Sequence, residues 1–157
     1  MARGRARLAP VVLDASVALA WLVERPLAAE RAAALAVLRG LAARPALVPV
    51  LWHAEIVNAL AVGERRGRLA EGHVLEFLDK LSALPIETDT GHGPRWWAEV
   101  RALARRHGLS AYDAAYLELA LRERAELATF DRALARAARE AGGRLACPGA
   151  GGPTDQE

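Results

Sequence analysis

The stretch Val11-Val12-Leu13-Asp14-Ala15-Ser16 restricts the possible folds more than any other part of the chain. Apolar residues without alternation specify a strand covered on both faces, as in a parallel sheet, and here the run stops abruptly at a carboxylate. Val17-Ala18-Leu19-Ala20-Trp21-Leu22 follows with helical spacing. A strand that feeds directly into a helix puts Asp14 at the strand's carboxyl end. In open α/β sheets that edge is where ligands bind.

The alternation continues for most of the length. Pro26 interrupts the chain, Ala28 to Ala43 repeats Ala, Leu and Arg at helical spacing, and Gly40 and Pro45 bracket its end. Ala46 to Val50 reads as a second strand, Leu51 to Arg66 as a helix closed by Gly67, and Glu71 to Leu84 as a helix stopped by Pro85. Pro85-Ile86-Glu87 gives a weak strand signal. Gly91 to Pro94 is a turn, Arg95 to His107 a helix with Gly108 as its stop, and Ser110 opens a helix that reaches Arg124. Leu127-Ala128-Thr129-Phe130 has strand length, Arg132 to Ala141 is a helix ending at Gly142-Gly143, and Arg144-Leu145-Ala146 is a final edge strand. Strands separated by helices place the chain in the α/β class. With no internal repeat and no interdomain linker, residues 8–147 are expected to form one domain, after a flexible basic leader 1–7 and before a Gly- and Pro-rich disordered tail 148–157.

At 157 residues, 53% of them hydrophobic, the chain is long enough to bury a core. Its net charge of +2 does not by itself identify a nucleic-acid partner. Lys80 is the sole lysine; every other cation of the basic side chains is arginine, the better bidentate phosphate ligand, although genomic base composition produces the same bias. Arg3, Arg5 and Arg7 imitate the positive end of a signal peptide, but Asp14 falls inside what would be its apolar region. No uninterrupted run approaches the ~20 residues of a membrane span. Cys147, alone, forms neither an internal disulfide nor a zinc site. The expectation is a soluble cytoplasmic protein.

Asp14, Asp113 and Asp131 each fall just after a strand or just inside a helix start. Singly, each has an innocent explanation: Asp14 and Asp131 as N-caps, and Asp113 as the partner of Ser110 in a capping box. Glu55 is harder to dismiss. Its helix is apolar nearly all round, which predicts a largely buried helix, and Glu rarely goes inside unpaired. Asn58, one turn on, shares its side. In a parallel sheet, strand ends and helix starts gather on one edge, so the four acids are expected to converge there. Carboxylates so crowded need compensation, and a hard divalent cation such as Mg²⁺ supplies it while keeping waters for a substrate.

The motifs add a resemblance. Asp14-Ala15-Ser16-Val17, Glu55 with Asn58, Leu109-Ser110-Ala111-Tyr112-Asp113-Ala114-Ala115-Tyr116-Leu117 and Thr129-Phe130-Asp131-Arg132 are similar to those of PIN-domain ribonucleases, specifically the small VapC-like toxins of bacterial toxin–antitoxin pairs. The resemblance runs from about Val11 to Leu145 and fills all four acidic positions. It implies a PIN-like three-layer α/β/α sandwich with a central, mainly parallel sheet of four to five strands. It further implies cleavage of RNA phosphodiesters dependent on Mg²⁺ or Mn²⁺, inhibition by a cognate antitoxin, contact with DNA only through that antitoxin, and a homodimer. On that basis Asp14, Glu55, Asp113 and Asp131 hold metal directly or through water, and Ser16, Asn58 and Thr129 support them.

Weaker features remain. Trp96-Trp97, flanked by Arg95 and Arg101, would serve as a stacking platform for RNA bases or as one core and one partly exposed residue. Arg65, Arg66 and Arg68 either steer phosphate or form a solvated face. The segment Ala28 to Ala43 either offers an apolar groove to an antitoxin helix or packs the core. His53, His73, His92 and His107 share no spacing and receive no chemistry. Two rival functions stand beside the nuclease. An aspartate-nucleophile phosphatase would place a second Asp where this chain has Ser16, and a lysine near the phosphate. A non-catalytic RNA- or protein-binding module would use all the acids as caps.

Overall fold

The computed structural model describes residues 8–147. The basic leader and the tail expected from the sequence lie outside the described residues. Five strands, β1 (Val11–Leu13), β2 (Ala46–Pro49), β3 (Ile86–Asp89), β4 (Glu126–Ala128) and β5 (Arg144–Leu145), form one sheet in the order β3-β2-β1-β4-β5. Every pairing is parallel: Val11 stands opposite Ala46 on one side and Glu126 on the other, Ala46 opposite Ile86, and Glu126 opposite Arg144. The connecting helices are α1 (Ala15–Leu19), α2 (Ala28–Gly40), α3 (Leu51–Arg65), α4 (Glu71–Ser82), α5 (Pro94–His107), α6 (Ala111–Arg122) and α7 (Arg132–Glu140). The chain steps from β1 outward to β3 and then crosses back to β4 and β5. Right-handed crossovers therefore set α1 to α4 on one face and α5 to α7 on the other, the three-layer α/β/α sandwich.

Covering both faces buries β1 completely, with Val11 at 1% and Val12 and Leu13 at 0% exposure. That is why its sequence is an unbroken apolar run. Helix α6 is buried from Ala114 to Ala120, packed between the sheet and its neighbours α5 and α7. Gly108 ends α5 in the left-handed conformation, φ 64°, a position where any Cβ is strained.

Several expectations need correction. β3 extends to Asp89, past the expected end at Glu87. As an edge strand with Glu87 and Thr88 exposed, it carries no apolar run to announce it. β4 stops at Ala128, because the next N–H groups leave the ladder: Phe130 N donates to Ser16 Oγ at 3.1 Å and Asp131 N to Thr129 Oγ1 at 3.0 Å. α1 stops at Leu19 and continues to Leu22 only as a turn of i→i+3 bonds; α2, α4 and α6 give way to similar turns before Ala43, Leu84 and Arg124. α3 is the largest surprise. It buries only Trp52, Ile56 and Leu60, leaving Val57 59% exposed, so it is a surface helix rather than a largely buried one.

Candidate active site

Asp14 is fixed by the meeting of β1 and β4. Its N–H donates to the Ala128 carbonyl at 2.9 Å, tying the two strand ends together. It occupies the N-cap position of α1, yet its side chain makes no cap bond. Instead Ser16 Oγ and Thr129 Oγ1 both donate to Oδ2, at 2.6 and 2.7 Å. Each hydroxyl is itself aimed by a backbone N–H, from Phe130 and Asp131 respectively. Both hydroxyls land on one oxygen. Oδ1 takes no hydrogen bond among the described residues and is not sealed from solvent, so it is left to face outward.

The other acids repeat this division of labour. Glu55 lies half-buried on α3 and its Oε2 accepts from Tyr116 OH at 2.5 Å. Asp113 Oδ2 accepts from Ser110 Oγ at 2.8 Å while its N–H donates to the same hydroxyl at 3.0 Å, the capping arrangement expected from their spacing. Asp131 Oδ1 accepts from Leu134 N at 2.7 Å, a true N-cap of α7. In each case one oxygen is anchored and the second is unclaimed within the described residues. Asn58 lies exposed on α3, one turn beyond Glu55.

Burial holds the Asp14 carboxyl above the usual aspartate range, the two hydroxyls pull it down, and Asp113 and Asp131 push it up again. Burial likewise raises Glu55, opposed by Tyr116 and reinforced by Asp14 and Asp113. Asp14, Glu55 and Asp113 thus form a mutually repelling trio, with Asp131 beside it and acting on Asp14. Among the described residues no positive side chain acts on Asp14 or Glu55. No three His, Cys, Asp or Glu side chains among them close into a ready-made metal cage. The donor set is nonetheless all oxygen and all anionic, which fits a hard divalent cation of the Mg²⁺ kind. Such an ion is held by one or two carboxylates and otherwise by water and substrate oxygens.

A family model of the PIN domain matches residues 11–140. The chain belongs to the PIN domain family. Solved structures are similar to it: PAE2754 from Pyrobaculum aerophilum is 26% identical with a TM-score of 0.58, over 82% of this chain and 78% of that one. FitAcB from Neisseria gonorrhoeae is 18% identical at the same TM-score of 0.58, over 86% of this chain and 95% of that one, a likeness of fold. Among curated proteins no sequence matches the chain.

Outside the acids, this PIN domain corrects some readings. Neither Trp96 nor Trp97 is a core residue: Trp97 is 64% exposed, and half-buried Trp96 meets His92 edge-on with ring centroids 4.7 Å apart. The histidines are dispersed, His53 bonding Thr88 Oγ1 at 2.8 Å and His107 facing Glu140 at 3.2 Å. Arg65, Arg66 and Arg68 are exposed. An apolar groove of about 480 Å³ opens between α1 and α3, beside Ser16, with Leu22, Leu60 and Leu69 in its walls and Arg66 and Arg68 at its edge. It takes no residue from Ala28 to Ala43. Tyr116 is the site residue that the sequence reading left without a role. A fully buried tyrosine one turn after Asp113 needs a partner for its hydroxyl, and that need was the available signal.

Proposed function

We propose that the protein is a Mg²⁺- or Mn²⁺-dependent endoribonuclease, the VapC-like toxin of a toxin–antitoxin pair, acting in the cytoplasm as a homodimer through the domain of residues 8–147. The observation that carries this reading is Asp14: a buried carboxylate at a helix start that caps nothing, is aimed by two hydroxyls, and is pressed by further acids with no cation among the described residues in reply. Asp14, Glu55, Asp113 and Asp131 hold metal directly or through water, using the oxygens that their own anchors leave unclaimed. When bound, the ion lowers the pKa of a water and stabilises charge developing on a phosphate.

The chain's own residues supply the orientation. Ser16 and Thr129 both hold Oδ2 of the Asp14 carboxylate, Tyr116 pins Glu55, and Asn58 offers an amide on the same side of α3. A purely structural role suits Asp131, which caps α7, and Asp113, which pairs with the Ser110 cap of α6; it fails for Asp14. The cognate antitoxin is proposed to lie in the apolar groove beside Ser16, with Arg66 and Arg68 at its edge and any DNA contact made by the antitoxin.

The test is incubation of the purified, antitoxin-free protein with total RNA in Mg²⁺ or EDTA, alongside Asp14→Ala and Asp113→Ala. Cleavage confined to the wild type in Mg²⁺ supports the assignment; cleavage that persists in EDTA, or in both variants, overturns it.

A further inference from the structure

Beside the acids stands an arginine whose position is fixed before anything binds. Arg25 lies in the connection from α1 to α2, and its Nε donates to Glu30 Oε2 at 2.7 Å. The Glu30 side chain is 7% exposed and that of Arg25 35%. The Arg25 guanidinium also lies over the Phe130 ring, 5.1 Å from its centroid. Phe130 stands between Thr129 and Asp131, and its N–H aims the Ser16 hydroxyl that donates to Asp14. The backbone beneath is tied down as well, since Arg31 Nη1 donates to the carbonyls of Arg25 and Pro26 at 2.6 and 2.9 Å. The fold itself therefore orders this side chain, and a ligand has little ordering left to do. Only Nε is engaged: the two Nη nitrogens make no hydrogen bond among the described residues. A pair serving stability alone would set the fork on both carboxylate oxygens. Arg25 instead lines, together with Ser16, the groove beside the acid cluster. It does not act on Asp14 or Glu55, so it stands off from the acids and leaves their charge intact.

We propose that Arg25 binds the RNA phosphate next to the one being cut, and that Glu30 is the residue that positions it. The inference rests on the nuclease reading and adds to it a contact outside the acids. A phosphodiester held at the acid cluster brings its strand along, and the next phosphate lies one nucleotide away. A cation touching the acids would cancel them; one packed on Phe130, a step outside their hydrogen-bonded shell, is placed for that neighbouring phosphate. The unengaged Nη groups give it paired N–H donors for two phosphate oxygens, which lysine could not match. A protein partner's carboxylate is the rival anion. It would have to enter beside four acids with no strand to carry it there, which favours the phosphate.

The test separates binding from cleavage. Binding of a fluorescent single-stranded RNA to the full chain in EDTA is followed by anisotropy against salt concentration. Arg25→Gln is expected to weaken binding roughly tenfold and to lower the slope of log K on log salt by about 0.7, the share of one phosphate contact on a single strand. In Mg²⁺ the same variant should raise KM roughly tenfold and keep kcat within about twofold. Arg25→Lys keeps the charge and loses the fork, so the salt slope should hold while affinity falls by less. Removing Arg25 alone strands the buried Glu30 and threatens the fold; the double variant Arg25→Gln/Glu30→Gln has no charge left there to strand. Because Glu30 acts only through Arg25, the double variant should bind no worse than Arg25→Gln, and Glu30→Gln should fall between that variant and the wild type. A folded double variant with unchanged salt slope and KM, or one that loses kcat alone, overturns the proposal, and the first result would leave Arg25 to a protein partner. Arg25-dependent RNA binding without cleavage in Mg²⁺ keeps the phosphate contact and removes the nuclease reading; cleavage indifferent to Arg25 does the reverse.

Discussion

Two neighbouring strand ends carry the same signature and use it differently. β1 leads directly to Asp14 and β4 through Thr129 to Asp131; each aspartate occupies the N-cap position of the helix that follows, with extended backbone angles. Asp131 does what that position suggests and binds Leu134 N at 2.7 Å. Asp14 does not. Its helix is left uncapped by a side chain while Ser16 and Thr129 hold its carboxylate for something else. An acid at a helix start is therefore no indicator of function until its hydrogen bonds are followed, because a cap and a ligand differ only in where the lone pairs point. Thr129 joins the two, donating to Asp14 and accepting from Asp131 N.

The sharpest way to break this contrast is to replace both acids with their amides. Asp14→Asn keeps an oxygen for both hydroxyls but removes the charge, and is expected to lower RNA cleavage by roughly 10²–10³-fold, the cost of one electrostatic stabiliser. Its stability should rise by about 1 kcal/mol, since the cost of burying the charge, and with it the repulsion from Asp113 and Asp131, is removed. Asp131→Asn caps as well as aspartate does, so stability should hold, with a smaller loss of cleavage. Equal losses in the two variants, measured by initial rates and urea melts, would erase the distinction. Asp131→Ala, which removes the cap, should cost about 1 kcal/mol beyond Asp131→Asn.

Thr129→Val attacks the link between the two sites. The valine has nearly the same shape, but it leaves Asp131 N without its acceptor and Asp14 without one donor at a position 2% exposed. The expected cost is about 1–3 kcal/mol in a urea melt. Ser16→Ala should cost less, because Ser16 is only half-buried and water replaces part of what is lost.

The sequence made much of this legible, and the reasons are local. β1 betrays itself because burial on both faces demands an apolar run, Asp14 and Asp131 sit where a strand hands over to a helix, and Asp113 sits in the first turn of α6. What it conceals is decided by distant parts of the chain. Tyr116 reaches Glu55 across 61 positions of sequence, so no local spacing connects them. β3 is an edge strand with polar outward residues and lacks the expected run. α3 misleads most, since Val50, Ala54, Val57 and Ala61 have the composition of a core while lying at the surface. An apolar side chain records that water is to be excluded and says nothing about which molecule excludes it.

The charge contrast also predicts a dependence on pH and metal. Asp14 and Glu55 are raised above their ordinary 3.8 and 4.5 by burial and by the neighbouring acids. A carboxyl that holds its proton more tightly folded than unfolded stabilises the fold below the unfolded value, and that stabilisation is lost as pH rises through the folded one. In EDTA, the wild type should therefore lose stability relative to Asp14→Asn as pH climbs from about 4 towards neutrality. Mg²⁺ at neutral pH should raise the wild-type melting midpoint and leave that of Asp14→Asn nearly unmoved, because only the charged site has an ion to gain. A parallel pair of pH curves in EDTA would show that the crowding has no thermodynamic weight.

The smallest expected effect comes from Tyr116→Phe. The hydroxyl is all that changes, in a side chain that is fully enclosed. Its hydrogen bond pulls the Glu55 carboxyl down against burial, so removing it lets that carboxyl rise further. Stability should fall by about 1 kcal/mol. The more telling readout is the pH profile of cleavage, whose acid limb should move to higher pH as Glu55 keeps its proton longer. A loss of rate that is uniform across pH would make Tyr116 a packing residue and leave Glu55 indifferent to it. Because Glu55 is shared between α3 and the acid trio, a shifted limb would tie the outer helix to the chemistry at the sheet edge.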